Sequence, residues 1–329
     1  MRLFFAIFIF FLIPSCMQKT GTPDISFYHW KSILNLSATE KKCIENNSCK
    51  KLYVKFFDVV NENGAIPLAK VDVRNIPSCE IVPVVYIANA VFAQEGTDPN
   101  DLAGKVQKLV VEMSAHSKLS CNEIQFDCDW TLKTKEKYFE FLRAAKKIFN
   151  KKICATIRLH QVKYRERTGV PPADEGVLMY YNMGKISAGD NNSIYDRKIA
   201  ADYELSLKDY PLALNLALPI FGWGIQIRDG KVICLLDKMG KENFLSDSNF
   251  VQVPDNIFTV KNACFKSGYY FEKNDKIKTE SVTEESLDEM GRELSGRFTP
   301  KEIIFYDLDS INLKRYDEDI FRKVAAHFN

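Results

Sequence analysis

The run Gln125-Phe126-Asp127-Cys128-Asp129-Trp130 places two carboxylates two residues apart at the far end of an apolar segment. Strand side chains alternate, so Gln125, Asp127 and Asp129 share one face. Ile124, Phe126, Cys128 and Trp130 turn to the other face and read as buried. Two acids on one face can divide the labour of proton transfer, because burial and a like charge raise the pKa of one while the other stays an anion. Asp129 is the leading candidate for the proton donor, with Asp127 ionised and held by Arg158. If the strand belongs to an α/β barrel, its C-terminal end is where active sites lie.

Other chemistry-bearing residues collect at similar positions. The apolar runs end in His29-Trp30-Lys31, Asp58, Arg158-Leu159-His160-Gln161, Tyr180-Tyr181-Asn182, Phe221-Gly222-Trp223-Gly224 and Asp307-Leu308-Asp309. In a strand Arg158 and His160 would share a face. Aromatic rings beside acids and amides make a surface suited to sugars, with rings against the apolar faces of a pyranose and polar groups on its hydroxyls. Each residue also has a plainer reading. Asp127 could be a structural acid bonded to backbone or to Arg158, and Asp307 and Asp309 could mark a strand's exit into a loop. His29 and His160 lie in no metal-ligand spacing, so zinc is disfavoured and no metal or cofactor is expected. No Gly-x-Ser-x-Gly elbow is present.

The elements that must position these residues are eight β-like runs: Ile25 to Lys31, Leu52 to Val59, Glu80 to Ile87, 123 to 130, Ile153 to His160, Gly176 to Met183, Leu212 to Ile220 and Glu302 to Asp309. Between most of them lie helical patterns, such as the apolar face Leu102, Val106, Leu109, Val110 and Met113. Helices after the second and sixth runs are weakly marked. The alternation predicts an α/β fold, a (β/α)8 TIM barrel covering 25–223 and 299–329. An open doubly wound sheet is the alternative, but no Gly-rich phosphate fingerprint follows the first strand. Residues 224–298 break the alternation and read as a small α+β insertion between the seventh and eighth strands. It holds a hairpin turning at Asp229-Gly230, a second turning at Asn274-Asp275, and a helix from Thr283 to Leu294.

The chain has 329 residues, 46% hydrophobic and 27% charged, with a net charge of +2. No basic run or aromatic-basic stripe suggests nucleic acid. Met1-Arg2 followed by an apolar run from Leu3 to Ile13 has the proportions of a signal peptide. It ends in Leu12-Ile13-Pro14-Ser15-Cys16, which resembles a bacterial lipobox, so residues 1–16 read as a leader cleaved before a lipidated Cys16; a plain secretory signal is the alternative. Residues 17–24 would be a tether. The expected location is the bacterial cell envelope, on the periplasmic or outer-membrane side, with the membrane reached only through the lipid. Eight cysteines remain of the nine. Cys43 and Cys49 could pair, and Cys79 and Cys121 precede neighbouring parallel strands at matching distances, so a Cys79–Cys121 disulfide is predicted.

Two motifs resemble glycoside hydrolase family 18, the chitinase and endo-N-acetylglucosaminidase group. Its fourth barrel strand carries Asp-x-x-Asp-x-Asp-Trp-Glu or similar, and Asp127-Cys128-Asp129-Trp130-Thr131 matches the last five positions apart from the final one. Its sixth strand often reads Met-x-Tyr-Asp, beside Met179-Tyr180-Tyr181-Asn182-Met183-Gly184 here. The family's general acid is the glutamate, and Thr131 stands in its place. The runs Thr156 to Gln161, Gly169-Val170-Pro171-Pro172 and Tyr180 to Gly184 also resemble a group of bacterial lipoproteins with a glycosidase-like barrel, which implies a fold but no activity.

The combined expectation is a monomeric, lipid-anchored barrel that binds or hydrolyses carbohydrate. Asp127, Asp129 and Tyr181 would do the chemistry. Trp30, Arg158, His160, Asn182, Trp223 and Asp307 would bind substrate, with Asp307 or Asp309 as a second carboxylate on the opposite wall. The alternative is a glycan-binding or assembly protein that has lost the acid, as Thr131 suggests.

Overall fold

The computed structural model describes residues 21–253 and 256–329. The proposed leader and Cys16 lie outside the described residues. Seven parallel strands follow in chain order: β1 (Asp24–His29), β2 (Lys51–Asn61), β3 (Glu80–Ile87), β4 (Glu123–Asp127), β5 (Lys152–Arg158), β6 (Glu175–Met179) and β7 (Leu214–Pro219). The eighth barrel strand is β13 (Glu302–Tyr306), which pairs with both β7 and β1, and β1 pairs with β2. The sheet is therefore a closed eight-stranded parallel barrel. The near-continuous apolar runs are explained by this closure, since each strand is covered by helices outside and by layered side chains inside.

The helical layer holds α1 (Ala38–Asn46), α2 (Pro99–His116), α3 (Lys135–Phe149), α4 (Arg197–Glu204), α5 (Glu284–Ser295) and α6 (Ile320–Ala326). Their starts have local causes. Ser37 and Glu40 form a capping box on α1, and Asp98 caps α2 with Pro99 at its first turn. After β2 the chain turns back as a short strand (Ala65–Leu68) antiparallel to β2. After β5 there are two short helical turns, Leu159–Lys163 and Arg165–Thr168.

Between β7 and α5 stands a second, antiparallel sheet of β8 (Gly222–Arg228), β9 (Lys231–Asp237), β10 (Phe250–Val253), β11 (Ile257–Val260) and β12 (Lys276–Ser281), in the order β9-β8-β12-β11-β10. Its own core includes Leu236, Phe244, Phe258, Phe271 and Ile277. Asp229 and Gly230 turn the first hairpin with φ of 49° and 74°, the paired left-handed geometry that suits such a turn. The second hairpin differs from expectation. Tyr269–Phe271 pairs back with Cys264–Lys266 around Ser267-Gly268, and Lys276–Ser281 is the central strand of the sheet. Helix α5 also belongs to the barrel, because Leu287, Met290 and Leu294 are buried in its core.

The predicted Cys79–Cys121 bridge is not formed; both thiols are free. Val84 lies opposite Gln125, so the register runs back to Glu80 opposite Cys121. Cys79 is one residue out of step, and a one-residue offset sends a side chain to the other face. Cys79 instead hydrogen-bonds the thiol of Cys49, and Cys43 is also free.

Candidate active site

The barrel interior is layered. At its N-terminal end Ser26, Lys51, Tyr53, Glu123, Cys154 and Glu302 form a hydrogen-bonded floor. Lys51 Nζ lies 2.8 Å from Glu123 and 3.3 Å from Glu302, and Tyr53 donates to Glu302 at 2.8 Å. Above it the Tyr28 hydroxyl donates to Gln125 at 2.8 Å. The next residues along these inward faces form the mouth, at the C-terminal ends of the strands where barrel sites are built.

Asp127 ends β4 and is mostly buried, with Thr156 Oγ1 of β5 donating to its Oδ1 at 2.7 Å. Burial pushes its carboxyl up to about 6; the Thr156 bond opposes the shift, and the Asp129 charge adds to it. Asp129 lies beyond the strand with its side chain 49% exposed. Arg158 grips it twice, Nε to Oδ1 at 2.6 Å and Nη2 to Oδ2 at 2.9 Å. Such a bidentate pair is specific as well as strong. The expected partnership is therefore inverted. Arg158 holds Asp129 rather than Asp127, because the chain leaves the strand at Asp127 and swings Asp129 out to the guanidinium, while Asp127 stays inside and its carboxyl shifts up.

The aromatic wall is continuous. Tyr181 and Tyr306 stack with centroids 5.4 Å apart and planes at 21°. Trp30 meets Tyr306 edge-on at 5.5 Å, and Phe221 links Tyr306 to Trp223. The Tyr181 hydroxyl lies 3.4 Å from Met179 Sδ, and burial pushes it well above the usual phenol range. Trp223 Nε1 donates to the buried Glu280 of β12 at 3.0 Å, so its polar edge is used in joining the insertion to the barrel.

Other predicted residues lie beyond the C-terminal ends of the strands. Strand β5 ends at Arg158, and His160 is exposed on the helical turn that follows, so the two do not share a strand face. Asn182 is exposed, in the left-handed region at φ 53°. Asp307 is only 5% exposed and accepts from Asn312 Nδ2 at 2.5 Å, with Lys238 of the insertion 3.9 Å away. Burial pushes it up to about 6. Asp309 caps the helical turn at Ser310 and binds Lys238 at 2.8 Å and Lys31 at 3.2 Å. Both acids are thus engaged in joining loops rather than offered to the mouth. Thr131 is exposed, and its N–H is bonded to the Thr134 hydroxyl at 2.9 Å.

Three residues at the mouth had not been singled out. Tyr86 lies between Asp58 and Asp127 on adjacent strands. Tyr306 is the hub of the aromatic wall. Lys55 bonds Asp58 Oδ2 at 3.1 Å and stands 5.7 Å from the centre of the Trp30 ring. Tyr86 and Tyr306 each occupy an inward position of an alternating strand, a signal the sequence did carry. Lys55 and Asp58 are brought to one face by a register shift between Lys55 and Phe57, which alternation does not reveal. Among the described residues no group of three or more His, Cys, Asp or Glu side chains could hold a metal ion.

The closed parallel barrel with its surrounding helices defines a fold class, the (β/α)8 TIM barrels. No family model matches the chain. No curated protein matches it. Solved structures do. The spore cortex-lytic enzyme SleL of Bacillus cereus matches at TM-score 0.55 and 12% identity, over 93% of this chain and 74% of that one. A mutant class V chitinase of Nicotiana tobaccum in complex with NAG4 matches at TM-score 0.55 and 12% identity, over 92% and 98% of the two chains. A chitinase of Bacteroides thetaiotaomicron matches at TM-score 0.55 and 10% identity, over 93% and 97%. The chain thus has the fold of the glycoside hydrolase family 18 chitinases.

Proposed function

We propose that this protein is an envelope lipoprotein, anchored through Cys16, that hydrolyses a glycosidic bond in its barrel mouth. The observation that carries the reading is Asp127, a carboxyl with a pKa of about 6 placed beside the Asp129–Arg158 ion pair and an aromatic wall. A carboxyl of that pKa retains its proton at mildly acid pH and can give it to a leaving oxygen. Asp129 and Arg158 fix the polar side of the cleft. Trp30 and Tyr306 offer ring faces to a sugar, and Tyr181 backs Tyr306. The chitinase fold supports carbohydrate as the ligand, and a single chain supplies the whole mouth, consistent with a monomer.

A panel of tetrasaccharides assayed for new reducing ends tests this. Asp127→Asn is expected to lower turnover by about 10²–10⁴-fold, the usual worth of a general acid, while leaving binding within a few-fold. Asp129→Asn is expected to act mainly on binding, by releasing Arg158. Turnover unaffected by Asp127→Asn would remove the proposed role.

Thr131 favours a second reading. It stands where the resembling family has its acid, and its N–H is satisfied by Thr134. On that reading the mouth binds glycan without cutting it. Saturable binding of the panel with no reducing ends from the wild type, at any pH between 4 and 8, would select it.

A further inference from the structure

We propose that Asp58 is the second carboxylate of the reaction, the base that takes a proton from an attacking water while Asp127 protonates the leaving oxygen; this rests on the hydrolytic reading above. The argument starts from β2. The register shift between Lys55 and Phe57 resets the alternation of the strand. Phe57 and Val59 consequently face outward, where they line a cavity together with Leu102 and Val106 of α2. Asp58 turns into the mouth, where its charge acts on both Tyr86 and Asp127.

The same register fixes the separation. Asp58 is opposite Tyr86, and Tyr86 is opposite Asp127, so the two acids lie two strands apart at one level of the barrel. Two strand spacings are about 9–10 Å between Cα atoms. Side chains on the concave side of a barrel converge, so a spacing of that order matches the roughly 6.5–9.5 Å between carboxyls that admits a water between acid and base. Asp58 is also equipped as an acceptor. Lys55 bonds only its Oδ2, and Oδ1 is buried with no hydrogen-bond partner among the described residues. A buried carboxylate oxygen without a donor is costly, and a water or a sugar hydroxyl would satisfy it. Asp307 and Asp309, by contrast, spend their oxygens on Asn312, Lys238 and Lys31.

The step balances. The Asp127 proton passes to the glycosidic oxygen as the bond from that oxygen to the anomeric carbon breaks. The water oxygen attacks the opposite face of the carbon, and its proton goes to Asp58. Proton exchange with solvent restores both groups. One displacement inverts the anomeric centre, whereas a route through a covalent or substrate-assisted intermediate retains it.

Proton NMR of freshly released product, with the full chain acting on β-linked tetrasaccharides of N-acetylglucosamine, glucose and xylose, reads this directly. The α-anomer should appear first and mutarotate later. Asp58→Asn should lower kcat by about 10²–10⁴-fold with KM changed less than about threefold. Initial β-anomer, or an Asp58→Asn kcat within threefold of wild type, overturns the assignment of Asp58 and leaves Asp127 and the hydrolytic reading standing. If Asp58→Asn does not fold, as judged by circular dichroism, the wild-type anomer alone decides. A wild type that releases nothing from any of the three sugars overturns both.

Discussion

At the scale of single residues the acids divide by environment, and the division has a pH signature. Asp127 and Asp307 are each pushed up to about 6 by burial. Asp309, two residues beyond Asp307, is drawn down to about 2 by its bonds to Lys238 and its own capping N–H contact, against the opposing effect of burial. A carboxyl raised in the folded state contributes stability that is complete below its unfolded pKa, near 4, and is lost as pH climbs through 6. Asp127→Asn should therefore flatten the decline in denaturation midpoint between pH 4 and 7, with about 3 kcal/mol at stake at the upper end. Asp309→Asn should do the reverse, weakening the fold above pH 4 with the deficit closing as pH falls towards 2. Urea midpoints across that range check both. Much of this centre was legible, because alternation places Asp127 with Asp129 and sets Arg158 nearby. Which acid Arg158 grips was not, since that depends on where the chain leaves the strand and on the Thr156 hydroxyl beneath Asp127.

At the scale of elements, every barrel strand was visible as an apolar run, and five of the eight were read as running two or more residues too far at the C-terminal end. The overrun has one cause. The polar and aromatic residues that follow the ladder continue the alternation in sequence, although in space Asp129, Asn182 and Asp307 already belong to loops and His160 to a helical turn. The β2 register shift escaped notice because inserting one residue leaves composition unchanged. Likewise the turn at Ser267-Gly268 was hidden by a stronger-looking Asn274-Asp275, whose Asp275 carboxylate instead binds Gln226 and Arg228. Strand β6 offers a test of packing at this scale. A Cβ on Gly176 would lie 2.8 Å from Leu214 Cδ2 and 2.9 Å from Ile157 Cγ1, so Gly176→Ala should cost about 1–3 kcal/mol by overpacking. Thermal unfolding of that variant, beside Gly104→Ala on the open face of α2, measures it.

At the scale of the molecule, the order of strands and helices was enough to give a closed barrel, because successive parallel strands joined by helices pack in one handed sense. The charged floor was not foreseen, since Ser26, Lys51, Glu123 and Glu302 come from distant parts of the sequence and meet only on closure. Removing its cation tests how the barrel closes. Lys51→Met would leave Glu302, already raised by burial, without its ammonium, and should cost about 3 kcal/mol, more at pH 8 than at pH 5, where protonation relieves it. Guanidine unfolding at the two pH values gives the comparison. That floor also fixes a direction. Residue 24 enters β1 beside it, where the Asp24 N–H bonds Lys301 O at 2.9 Å, and the strand then climbs to Trp30 at the rim. The described chain therefore enters the barrel at the end opposite its mouth. The cleft opens away from the end at which the chain enters, like a cup standing on its base.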